Sequence, residues 1–535
     1  HELTLTALYF SRVCMRGIHS PLPSNPASAC SLTSNRRTAG SGRHPRRTAA
    51  PIRMALGKDD TCAAAPSTPL TQAQAATSSD QPPPPSGSTG EFDPAPRNTT
   101  GEAIVDTYGP TLSGEHKWLG AAVADDGSII GVPAHNRRVV RVVPGTGEVT
   151  ELGDDVVLGP RKYKYLRGIR TGAGTVLGIP AWADSVLEIT PATGEVRTIG
   201  TLPLGKWMWH GAAEGLDGNI YGIPSNADTI LKVNPTTREV TQFGRGKIPP
   251  GQNKWYGGIR GPDGAIYGIP YTANHVLKIV PETQEVVMLG DFSDVTGGWK
   301  WHGGVLAPDG CIYGFPSHAE RVLKINCATG EVSLIGPSFP GRYKWGGGAV
   351  GLDGNVYGMP SDTDTVLRIR CATGEVDTIG HGKMSTLKNK WQGAVLARDG
   401  AIYAIPGDAD SVLKIVPATG EVSCVGQLSD LPDKWQGGFL GADGIIYGIP
   451  ENADQILRII PPEVTGAGGG VPVSAVKADT KEETKDVKVE NKEGIKAQKK
   501  KEQVEKKEAK AAAGDTGSST FMETAGTVLA AGGVV

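Results

Sequence analysis

The sequence predicts an all-β fold, an eight-bladed β-propeller of four-stranded antiparallel blades, and three observations carry that prediction. Glycine and proline are abundant, 74 and 39 of 535 residues, so the chain turns often. Tryptophan (10) outnumbers phenylalanine (8) in a chain that is only 6% aromatic, as expected if indole fills a recurring slot. That slot is visible when the chain is aligned on the aromatic of a K-W-x-G-G motif: Trp118, Tyr165, Trp209, Trp255, Trp301, Trp345, Trp391 and Trp435 stand 44 to 47 residues apart. A period of this length, rich in Gly and β-branched residues, marks propeller blades.

Three segments follow along the chain. Residues 1–94 are rich in Ser, Pro and Arg, show no hydrophobic period and are expected to be disordered. Arg accumulates there while acids are absent between Glu2 and Asp59, the composition of an organelle transit peptide; an open-ended reading frame upstream of Met15 or Met54 is the competing reading. Residues 95–465 hold the propeller. Residues 466–535 follow a Gly-rich joint, and their stretch Lys477 to Lys510 carries 12 Lys and 9 acids, the pattern of a solvated disordered tail.

Each repeat divides into four strand-length pieces. The innermost strand is W-x-G-G-hydrophobic, with glycines where crowding near the axis excludes side chains. Asp-Gly (Asp217, Asp263, Asp309, Asp353, Asp399, Asp443) then makes a tight turn, because Gly supplies positive φ at little cost. I-Y-G-I-P forms the second strand, V-L-K-I the third, and a T-G-E turn leads into the fourth. The eighth repeat stops at Pro462 before any fourth strand, while residues 99–110 read as an orphan fourth strand. Pairing the two closes the ring and removes the free edge.

Residues that recur in nearly every copy are explained by the blade, so function is sought where copies differ. The recurrent Lys before the aromatic (Lys117, Lys164, Lys254, Lys300, Lys344, Lys390, Lys434) is expected to pair with the recurrent acid of the second-to-third strand loop (Asp184, Asp228, Glu320, Asp364, Asp410, Asp454). The Trp set is expected in the core. The residue after the aromatic varies (Leu119, Leu166, His210, Tyr256, His302, Gly346, Gln392, Gln436) and is expected to ring the mouth of a central channel. Four residues on, Arg170, Glu214 and Arg260 replace the aliphatics of the other blades. Strand alternation puts that position on the same face, so His210 and Glu214 are expected within reach of one feature. Two readings attach to the three charges, an ion triad that sets the register of the ring, or an anion site with Glu214 as general base. The candidate ligand-binding set is therefore Arg170, His210, Glu214, Tyr256, Arg260, His302, Gln392 and Gln436. No third ligand accompanies His210 and His302, so no metal is assigned, nor any cofactor.

Seven scattered cysteines without a CxxC motif suit a reducing compartment. Cys327 and Cys371 replace a recurring Pro and read as tolerated substitutions, and Cys311 and Cys424 as small core residues. A net charge of −2 argues against nucleic acid, and no apolar run is long enough for a membrane span. The nucleophile-elbow, P-loop and H-E-x-x-H motifs are absent from the sequence.

The alternation of P-D-G-x-I-Y-G with V-L-K-I-x-P-x-T-G-E-V resembles the repeats of streptogramin-lyase-like, NHL and gluconolactonase-like propellers over about 99–462. The T-G-E turn is similar to the quinoprotein dehydrogenase repeat, and the whole array resembles Y-G-I-P repeat arrays in predicted proteins of unicellular algae and protists. The lyase resemblance implies a catalytic His and Glu around a metal, of which this chain carries fragments; the quinoprotein resemblance implies cofactor ligands and a cysteine pair that the chain lacks. These motifs specify turns and strands rather than chemistry. The functional expectation is a non-catalytic platform for a protein or a small polar ligand, monomeric and cytoplasmic, or organellar if the Arg-rich start is a transit peptide. The alternative is a lyase- or lactonase-like enzyme with a polar site in the channel.

Overall fold

A computed structural model describes Asn98 and residues 101–463; the expectations for the two tails fall outside these residues. The described chain forms eight four-stranded antiparallel sheets. The first complete blade holds β2 (Trp118–Val123), β3 (Ile129–Pro133), β4 (Val139–Val143) and β5 (Glu148–Leu152) in meander order, and six more blades repeat the pattern. The last blade takes its outer strand from the other end of the chain. There β1 (Ile104–Tyr108) pairs with β32 (Ile456–Ile460), from Ile104 opposite Ile460 to Tyr108 opposite Ile456. A bidentate ion pair from Arg458 to Asp106, at 2.9 and 2.7 Å, fastens this closure. First strands adjoin the first strands of the neighbouring blades all the way round, so they are innermost.

Close approach explains the glycines of the inner strands. In blade 3, β10 (Trp209–Glu214) pairs Trp209 with Pro224 and Ala212 with Gly222, which leaves a bulge between. Gly211 turns through it at φ 80°, and a Cβ there would lie 2.7 Å from the Cα of Gly257 in the next blade. Each recurrent Trp is buried, and its Nε1 donates to a backbone carbonyl 20 residues on in the same blade, as Trp209 does to Thr229 at 2.9 Å. At the Asp-Gly turn a second constellation repeats: Tyr267 donates its hydroxyl to Asp263 at 2.7 Å, and Lys278 reaches the same carboxylate at 2.9 Å while lying over the ring. In blade 2 all three partners change, to Ala173, Leu177 and Glu188. The buried Glu188 is held instead by Arg197 and by Arg238 of the next blade, at 3.4 and 2.8 Å.

Two expectations need correction, and one element was not foreseen. The lysines before the aromatic do not pair with the loop acids. The Lys254 ammonium instead donates to the carbonyls of Ser225 (2.8 Å), Ala227 (2.9 Å) and Gly251 (3.2 Å), bridging its own inter-blade loop to the preceding blade. Lys164 and Lys344 do the same. The loop bends its carbonyls toward the buried ammonium, while acids such as Asp184 and Asp228 turn outward to Arg161 and Arg245. Cys424 is exposed on an outer strand rather than in the core; Cys311, Cys327 and Cys371 are buried free thiols. Finally, the longest inter-blade connection contains one turn of helix, α1 (Asp155–Leu158), that no sequence pattern announced.

Candidate functional site

One end of the ring carries both the inter-blade connections and the second-to-third strand loops, and the variable positions gather there. The residues after the aromatic pack against their counterparts in the next blade. The His210 and Tyr256 rings lie 3.9 Å apart and those of Tyr256 and His302 4.5 Å apart. Gly346 leaves room for His302, whose Nδ1 would be 2.7 Å from an added Cβ. Gln436 donates to Gln392 at 3.1 Å and to Glu451 at 2.7 Å. All of these except His302 are buried, so they form a packed collar rather than an open mouth. Burial, reinforced by Arg167 and His302, holds the His210 imidazole well below its ordinary pKa, so it is neutral; its Nδ1 is buried without a hydrogen bond.

The three charges four residues on are not part of this collar. The bulge after the aromatic breaks the strict alternation, and the strand rises about 3.3 Å per residue, which puts Glu214 about 13 Å from His210 along the chain. Nor do they form a triad of side chains. Arg170 pairs with Asp125, Glu214 accepts the Gly172 N–H at 2.7 Å, and Arg260 donates to the Glu214 backbone carbonyl at 3.0 Å.

Sequence reasoning missed a second variable ring, two residues before the aromatic. His116, Tyr163, Trp207, Asn253, Trp299, Tyr343, Asn389 and Asp433 all take positive φ, between 47° and 54°. The signal was available, since the residue changes from copy to copy while its neighbour is Lys in seven of the eight copies. Each packs on the loop of the preceding blade, where Asn or Asp receives its backbone N–H: Asn226 from Asn253, Asp362 from Asn389, Asp408 from Asp433 and Asn452 from His116, at 2.7 to 2.9 Å. Elsewhere the loop offers a ring instead, as His135 does to Tyr163 (4.2 Å), Trp182 to Trp207 (5.5 Å) and His318 to Tyr343 (4.3 Å).

Two kinds of sector result. Blades 1–3 and 4–6 each carry a run of touching aromatic rings, with Lys206 lying 4.8 Å from the Trp182 ring centre. Blades 7, 8 and 1 carry a polar sector. There Asn389 donates to both Asp433 (2.8 Å) and Asp408 (3.0 Å), and His116 Nδ1 meets Glu451 at 2.6 Å. Burial, then the charges of Glu451 and Asp408, push the Asp433 carboxyl up to about 8, so it is largely protonated at neutral pH. Burial alone would lower the His116 imidazole, but the Glu451 hydrogen bond and charge outweigh it and raise the pKa. Among the described residues no three His, Cys, Asp or Glu side chains group as metal ligands, and no helix is long and apolar enough to cross a membrane.

No family model and no curated protein matches the chain. Among solved structures it is similar to a streptogramin B lyase (14% identity, TM-score 0.44, covering 67% of this chain and 97% of the other). It is also similar to virginiamycin B lyase from Staphylococcus aureus (13%, 0.43, 67% and 99%) and to hydrazine synthase from Kuenenia stuttgartiensis (13%, 0.42, 66% and 97%). The described chain itself is an eight-bladed β-propeller closed by the pairing of β1 with β32.

Proposed function

We propose that the protein is a non-catalytic binding propeller that takes a protein or a small polar ligand on the face bearing the inter-blade loops. The observation that supports this is where the copies differ. The turns at the opposite end repeat Asp-Gly and Thr-Gly-Glu with little change, whereas the loop face turns copy-to-copy variation into contiguous aromatic and polar sectors. Such a scaffold presents different chemistry at each sector while the blades beneath stay the same.

Affinity enrichment from the source cells tests this with three baits: wild type, a loop-face variant (Trp182→Ser with Lys206→Glu) and an opposite-face variant (Leu216→Ser with Leu352→Ser). A partner held by wild type and the opposite-face variant but lost by the loop-face variant is the expected result; equal capture by all three baits would sink the reading. A lyase- or lactonase-type reading of the collar draws support from the neutral His210 with its unbonded Nδ1. Turnover of a lactone that disappears in His210→Ala would establish it instead.

A further inference from the structure

We propose that a cavity at the seam between blades 8 and 1 binds a small molecule through a carboxylate or phosphate group held by Arg137 and Lys117. The cavity is open to solvent and holds about 580 Å³ between residues 111–117, which lead in from the closing strand, and the loop His135–Arg138, and it reaches Glu151 and Asp155 at the outer side of blade 1. Small-molecule sites fall in the range of about 300–1,000 Å³.

The repeat shows what is unusual here. The loop position occupied by Asp184, Asp228, Glu320, Asp364, Asp410 and Asp454, and by Asn274 in blade 4, is Arg137 in blade 1, so one point of an acidic ring is reversed in charge. The acids around it are already engaged: Arg138 holds Asp155 at 3.1 Å, and Asn136 donates to Glu151 at 3.1 Å, leaving Glu115 as the other acid in the lining. Arg137 makes no hydrogen bond among the described residues. Its nearest carboxylate, Asp155, is 4.0 Å away, and its side chain is 49% exposed.

Lys117 supplies the second donor. It is only 1% exposed, yet its ammonium donates to the Gly114 carbonyl alone, at 2.8 Å, as Lys434 does to Leu431 at 2.9 Å, whereas Lys254 holds three carbonyls. The closing segment supplies Gly114, but the blade 8 carbonyls of Glu451 and Ala453, the counterparts of Ser225 and Ala227, take no bond from the ammonium, so N–H capacity remains on a cation of the cavity lining that also feels Asp454, Glu451 and Glu115. A planar guanidinium and an ammonium with free capacity in the same lining are the donor set that an oxyanion requires.

The site reaches the outermost strand of blade 1 and does not depend on partner binding by the loop face. Its test is calorimetric titration of the full chain at low ionic strength with inorganic phosphate and, separately, with succinate. Arg137→Asp restores the acid of the other repeats, and Lys117→Met installs the residue that blade 3 already carries as Met208, so both variants stay within what a blade accepts. Wild type is expected to bind one of the two anions saturably at one site per chain, and whichever binds identifies the oxyanion. Each variant should weaken that binding at least tenfold with an unchanged unfolding midpoint in the absence of anion. If Arg137→Asp shifts that midpoint, Arg137→Gln replaces it. Absence of binding by wild type, or full binding by the Arg137 variant, overturns the proposal. Neither result bears on partner capture, which is read out separately.

Discussion

At the scale of single residues, the buried lysines are the clearest case of a side chain whose role differs from its formal charge. Six of them, Lys254 included, are pushed down to about 8 by burial. A lysine in the unfolded chain titrates near 10.4, so between about pH 8 and pH 10 the unfolded state binds more protons and stability rises with pH. The rise ends as unfolded tyrosines begin to ionise near 10, because burial holds tyrosines such as Tyr267 and Tyr403 protonated in the native state. Blade 3 shows that the position works without charge, since Met208 stands there. Lys254→Met is therefore expected to change the unfolding free energy by less than about 1.5 kcal/mol at pH 7. It should also flatten part of the alkaline rise, as urea unfolding at pH 7.5, 8.5 and 9.5 followed by Trp fluorescence would show. Loss of more than about 3 kcal/mol at pH 7 would mean that the carbonyl cage needs the ammonium.

At the scale of the strand, two glycines with similar backbone angles have different tasks. Gly354 sits in an Asp-Gly turn at φ 75° with nothing within 4 Å of an added Cβ, whereas Gly211 at φ 80° faces the backbone of the next blade. Gly354→Ala should cost about 1–2 kcal/mol, the left-handed penalty alone, and Gly211→Ala about 1–3 kcal/mol more, because two inner strands must separate. Thermal and urea unfolding of the two variants measure that difference, and equal costs would contradict the crowding. The turn glycines, the indole slots, the strand boundaries and the orphan strand were legible in the sequence because each repeats or is missed at a fixed interval. The separation of Glu214 from the collar at His210 was not legible, because one bulge residue disturbs alternation and leaves no mark on hydrophobic patterning. The ring at His116, Tyr163 and Trp207 left a signal, variation beside a recurrent Lys, that went unread because variable residues at left-handed positions look like loop. Arg167 was readable but unread: seven copies have Gly at that position.

At the scale of the whole molecule, closure makes the eighth blade a composite of the two ends of the ring. The seam copies the others in detail, with Leu112 donating to the Asp454 carbonyl at 2.7 Å as Leu202 does to Asp184. A chain beginning at Thr111 lacks β1 and leaves the hydrogen-bonding edge of β32 open. It should elute as dimers or larger species in size-exclusion chromatography under conditions where the longer chain is monomeric; a stable monomer with the same unfolding midpoint would show that closure is dispensable. The same pairing also imposes an order in time. Ile104 leaves the ribosome hundreds of residues before its partner Ile460. Seven blades can zip from neighbouring sequence as they emerge, but β1 must wait unpaired until β32 has been made. Maturation of the ring is thus paced by translation of its last strand, and the nascent chain is most vulnerable to capture by other chains during that interval.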